Sequence, residues 1–162
     1  MSMLPAYVVP AIHIYHMAAF PCSVADIVHH LVFAGFICPV GLILETGPLQ
    51  NCVGFFICGL PGGIDYLMLA CVKHKWMDRL SEKFWNARIN VWLRSPGLAF
   101  CAFAIWDSSG GDHGLNKGIL AISALMCIVN GQYYMQVVVG NTFLRSREEA
   151  AGTANQLRAY NS

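Results

Sequence analysis

The charged residues of this chain are segregated. Lys73, Lys75, Arg79, Lys83, Arg88 and Arg94 crowd one segment, Arg145, Arg147, Glu148, Glu149 and Arg158 occupy the tail, and the long intervals between are almost uncharged. An apolar stretch of about 20 residues has one backbone solution in lipid, the helix, because hydrocarbon cannot satisfy free N–H and C=O groups. Only 12% of the 162 residues are charged, against about 25% in a soluble domain. The expected class is an all-α integral membrane protein, a polytopic transmembrane helical bundle. A net charge of +1 and the lack of any RNA- or DNA-binding motif exclude nucleic acid as a partner. Seven cysteines lie mostly in or beside apolar segments with no CxxC, the pattern of packed thiols.

About five spans are expected, with one amphipathic interfacial helix. Leu4–Phe20 is the first span, closed by Pro21; a cleavable signal peptide is its competing reading, weakened by the lack of a positive n-region. Ser23 offers an N-cap for the second, Val24–Leu44, with Asp26 near the positive end of the helix dipole. The third, Leu49–Val72, meets Gly59-Leu60-Pro61-Gly62-Gly63, a sequence expected to break or kink it. In Lys73–Ser95, Trp76, Leu80, Phe84, Ala87 and Val91 recur every three or four residues, with Arg79, Glu82, Lys83 and Asn86 between them. That spacing predicts a helix over about 74–95 lying at the membrane surface, ended by Pro96-Gly97, with Arg88 and Arg94 as headgroup contacts. Leu98–Trp106 is short for a fourth span and must borrow residues upstream. Asp107–Lys117 is a polar loop, and Gly118–Leu144 is the fifth span, with Asn130, Gln132, Tyr133, Tyr134 and Gln136 giving it a polar face. Residues 1–144 thus form one multi-span domain, and 145–162 a polar cytoplasmic tail.

The basic segment and basic tail are expected on the cytoplasmic side, with two spans between them. Counting backwards puts the Pro21–Asp26 turn on that side too and the amino terminus on the opposite one. Depth then groups the ionisable residues. His13, His16, His29, His30 and Asp65 all fall within roughly 5–11 Å of the cytoplasmic face at a rise of about 1.5 Å per residue. His13 and His16 share a helical face, as do Asp26 and His29 or His30. Ionisable groups at such depth are functional candidates. The simplest chemistry is a His–Asp pair acting as general base and orienter on a lipid hydroxyl or amine. No metal-ligand set or cofactor is assigned, although one zinc or iron on the histidines with Asp65, or a haem between two helices, is geometrically conceivable.

Three stretches together resemble a known family: Asp26-Ile27-Val28-His29-His30-Leu31, Gly63-Ile64-Asp65-Tyr66-Leu67 through Lys73, and Val129-Asn130-Gly131-Gln132-Tyr133-Tyr134. The chain resembles the TLC domain, shared by ceramide synthases, translocon-associated TRAM proteins and CLN8-like proteins, over about His13 to Leu144. It departs in having fewer spans and no second acidic pair after the paired histidines. The resemblance implies a lipid-facing cavity open toward the cytoplasm, with His29, His30 and Asp65 as catalytic candidates. His13, His16, Asp26, Tyr66, Asn130, Gln132 and Tyr133 are then candidate lipid contacts. The partners expected are membrane lipids, and an intracellular membrane such as the endoplasmic reticulum is the expected location. A second class of reading is a non-enzymatic accessory subunit docked to a membrane-protein partner or a homodimer, and a third is a haem or metal carrier.

Overall fold

The computed structural model describes the backbone of residues 4–19, 21–22, 24–44, 47–111 and 115–160; the side chains of 6, 25, 26, 111, 115 and 154–160 are outside the description. The described residues are helical, with no strand among them. In chain order they form α1 (Leu4–Ala19), α2 (Val24–Val32), α3 (Cys38–Ile43), α4 (Pro48–Gly54), α5 (Leu60–Lys73), α6 (Arg79–Ile89), α7 (Ser95–Ser108) and α8 (Leu115–Tyr160). Ser23, expected to cap α2, lies outside the described residues.

Three π-helical turns, Phe33–Ile37, Phe55–Gly59 and Asn90–Arg94, join α2 to α3, α4 to α5 and α6 to α7. Each is followed, two residues after its end, by a proline: Pro39, Pro61 and Pro96. A proline inside a helix lacks the N–H for the residue four back, and its ring crowds that carbonyl. Here the crowded carbonyls belong to Gly35, Ile57 and Trp92, each at the third position of its π turn. Widening the local spacing makes room for the ring without ending the helix. Of the break or kink expected at Gly59–Gly63 no break is found, only the π turn Phe55–Gly59, and the expected stop at Pro96-Gly97 is absent, so each helix runs on through its proline.

Among the described residues, three helices are long and apolar enough to cross a membrane: Pro48–Lys73 with 26 residues, Arg79–Ser108 with 30 and Asn116–Thr153 with 38. The shortest measures about 39 Å at 1.5 Å per residue, more than the roughly 30 Å of a hydrocarbon core. Ile27–Ile43 is apolar but shorter, and α1 has 16 residues. The short run Leu98–Trp106 does borrow upstream residues. It takes the segment expected to lie on the membrane surface, which is the first part of the same helix and no separate element.

That segment also faces the other way from a surface helix. Glu82 is 1% exposed and Asn90 4%, whereas Trp76 and Trp92 are each 80% exposed. Polar groups turned toward protein and apolar groups turned outward suit a helix whose surroundings are lipid. The same inversion runs through the molecule: Phe100, Phe103 and Trp106 on α7, and Leu125, Val129 and Phe143 on α8, are all exposed. The tightest packing lies where α7 meets α8, at Leu98, Cys101, Ala102, Ala124 and Cys127. Gly131 lets α8 approach there, since a Cβ on it would already touch Leu98 at 3.4 Å.

Between α5 and α6 the chain turns tightly. Trp76 N donates to Cys71 O at 2.9 Å and Lys75 N to Val72 O at 3.0 Å, a Schellman cap on α5. Lys75 sits at φ 62°, where glycine is preferred. Lys75→Gly is expected to stabilise the fold by about 1 kcal/mol, read as a raised unfolding midpoint in detergent; an unchanged or lower midpoint would refute the cap. Asp78 then starts α6, its carboxylate accepting from Ser81 N at 2.8 Å. The Ser81 hydroxyl, together with its N–H, holds that carboxyl below the usual aspartate range. At the other end, α8 carries the helix into the expected tail, where Arg145 pairs with Glu148 and Glu149 on the surface.

Candidate functional site

The two histidine pairs sit on either side of the turn between α1 and α2, so the reversal of the chain brings equal depths together. His13 and His16 project from α1 and meet His29 and His30 on α2. The His13 and His30 rings lie 4.9 Å apart, His13 and His29 5.8 Å, and His16 and His30 5.1 Å. His13 is 4% exposed, and its Nδ1–H donates to Val9 O at 2.8 Å. A carbonyl can only accept, so this bond sets the tautomer and leaves Nε2 as the acceptor. Cys22, from the turn itself, joins His16 and His30, their nitrogen and sulfur atoms all within 4.8 Å of one another.

These histidines line one end of a cavity of about 760 Å³. Its remaining walls come from α1, α4, the π turn Phe55–Gly59 and the start of α5, and are largely apolar: Val8, Val9, Ile12, Phe55 and Ile57. A volume in this range holds a small ligand or part of a lipid. Arg94, the last residue of the third π turn, also lines it. Its guanidinium lies over the Tyr134 ring at 5.3 Å, and its Nε is buried without a hydrogen-bond partner among the described residues. Behind His29 a second space of about 530 Å³ opens between α2 and α8, lined by Asn130, Tyr133 and Tyr134. His29 stacks edge-on against Tyr134 at 4.8 Å and forms a wall of both spaces.

Asp65 is not brought to the histidines. Its Oδ1 accepts from Asn86 Nδ2 at 2.6 Å, and Asn86 Oδ1 accepts in turn from Asn90 Nδ2 at 2.7 Å. The cavity wall includes Gly62, Gly63 and Tyr66 from this helix but not Asp65. Depth matched Asp65 to the histidines, but consecutive helical residues point about 100° apart, and it is Tyr66 that faces the cavity. The expected His–Asp pairing is therefore replaced by an Asp65–Asn86–Asn90 chain. Of the other candidates, Asn130 and Tyr133 line the space behind His29, while Gln132 Nε2 donates to Ser95 Oγ at 2.9 Å and ties α8 to α7. The side chain of Asp26 lies outside the described residues.

Arg94 was expected at the headgroups and is found in the cavity wall, within electrostatic reach of both His29 and Asp65. A signal for it exists in the sequence. Glu82, Asn86, Asn90 and Arg94 recur every four residues, which marks a polar stripe on one helical face. Cys22 and Tyr134 also join the site.

No family model, no curated protein and no solved structure matches this chain.

Chemically, the arrangement offers imidazole nitrogens, one of them with its tautomer set by Val9 O, and a guanidinium in the wall of a mostly apolar cavity. Arginine gives charge-assisted hydrogen bonds to carboxylate or phosphate, strengthened where water is scarce.

Proposed function

We propose that this protein is a lipid-handling polytopic membrane protein of TLC-like type, which takes an anionic amphiphile into the histidine-lined cavity. One observation carries the reading: Arg94 and the four histidines line one cavity of about 760 Å³ whose remaining walls are mostly apolar. An acyl chain would lie along Val8, Ile12 and Phe55, and a phosphate or carboxylate would meet Arg94. Bilayer insertion uses the three long helices together with α1 and the α2–α3 helix, giving about five spans, with the amino terminus outside and the basic tail cytoplasmic. An intracellular membrane such as the endoplasmic reticulum fits this arrangement. Binding or transfer of the intact lipid is favoured over acyl transfer, because the carboxylate that would orient a histidine base is held by Asn86.

The test is the lipid retained by the full chain purified in mild detergent and analysed by mass spectrometry. The wild type is expected to keep an anionic lipid enriched over the bulk membrane, and Arg94→Gln to lower that enrichment about tenfold, the worth of one charge-assisted hydrogen bond. Size-exclusion elution checks that the variant stays folded. Retained lipid that mirrors the bulk membrane, or equal enrichment in wild type and variant, would overturn the reading.

A further inference from the structure

The nitrogens of His13, His29 and His30 all lie within 4.8 Å of one another, on two helices that converge at the polar end of the cavity. We propose that these three histidines bind a single transition-metal dication, zinc being the ion their donor set fits, independently of any lipid in the cavity. Three imidazoles and one open position make a familiar zinc environment. Tetrahedral bonds of 2.0–2.1 Å need nitrogens about 3.3 Å apart, so the ion would draw the rings together by about 1.5 Å at most, within reach of side-chain rotation.

Two further observations point to a ligand. The His13 Nδ1–H bond to Val9 O at 2.8 Å is the outer-shell contact that usually orients a metal-bound imidazole, leaving Nε2 free to coordinate. His29 Nδ1 is buried and makes no hydrogen bond among the described residues. A buried ring nitrogen that the protein leaves unused suits a metal ligand. His16 and Cys22 form a second group with His30, their ligand atoms within 4.8 Å of one another, so the Cys22 thiol is the candidate fourth donor through the shared His30. Arg94 lines the same cavity and adds positive charge, so an anionic fourth ligand such as a thiolate offsets it and completes the site.

The full chain, purified in detergent through a tag without histidine and stripped with a chelator, is to be loaded with zinc, desalted and analysed for metal. About one zinc per chain is expected in the wild type, retained equally by the control His74→Ala and reduced at least tenfold in His29→Ala and in His30→Ala. Cobalt in place of zinc should give the visible bands of a four-coordinate ion, and loss of sulfur-to-metal absorption in Cys22→Ser would identify the thiolate as the fourth ligand. If that absorption is missing from the wild type, a water oxygen holds the position. Wild-type zinc no higher than in a triple His13, His29 and His30 alanine variant, or octahedral cobalt spectra, would overturn the site. The wild-type measurement stands even if a variant fails to fold. Zinc binding without lipid enrichment would remove the lipid reading alone, and the reverse result would remove the metal site alone.

Discussion

Gly97→Ala is expected to cost about 1–3 kcal/mol of stability and to lower the unfolding midpoint clearly, the usual penalty of overpacking a filled site. Gly97 is buried near the start of α7, and the ring of Phe56 from the second π turn lies directly over its Cα. A Cβ built there would overlap the Cγ–Cδ1–Cε1 edge of the Phe56 ring. The ring has little room to retreat, because Phe56 packs on the core that includes Val53, Ile57 and Leu98. In a Phe56→Ala background Gly97→Ala should cost little, since the space of the ring then receives the methyl, so the two losses should not add. Thermal unfolding of the four proteins in one detergent measures this. A Gly97→Ala protein as stable as wild type would show that the helices meet elsewhere.

Asn86→Leu is expected to destabilise by a comparable or larger amount. Asn86 is the middle of the chain from Asp65 to Asn90, with contacts of 2.6 and 2.7 Å. Removing it strands a half-buried carboxylate between helices, and an abandoned polar group costs about 1–3 kcal/mol where water is kept out. Removing both ends of the contact should cost less than removing one: Asp65→Leu with Asn86→Leu leaves no orphan and trades polar for apolar packing. The cycle therefore predicts a double variant more stable than Asn86→Leu alone, and a simple sum of the single losses would refute the pairing. The same variants bear on function. If Asp65 acts only through this chain, lipid retention in the double variant should follow its stability and not drop further.

Much of this was legible in the chain. The apolar run lengths announced membrane helices, and the positions of His13, His16, His29 and His30 relative to the Pro21 turn announced that they would meet. Depth along a helix is linear in sequence, so the turn is enough to align it. The prolines at 39, 61 and 96 were visible too, but Pro61 read as a break or kink, Pro96 as an end, and Pro39 drew no expectation. Their carbonyl conflict is relieved by widening three turns, a solution that packing neighbours stabilise and local propensity does not reveal.

By itself, then, the sequence determined an all-helical membrane class and the convergence of four histidines at one depth. Only the tertiary structure decided that Asp65 faces Asn86, that the Glu82–Arg94 stripe turns inward, and that Arg94 reaches the cavity. The reason is angular. Each residue advances a helix by about 100°, and each π turn shifts the phase of everything beyond it, so direction around the axis is set by those turns and by the neighbour that packs there.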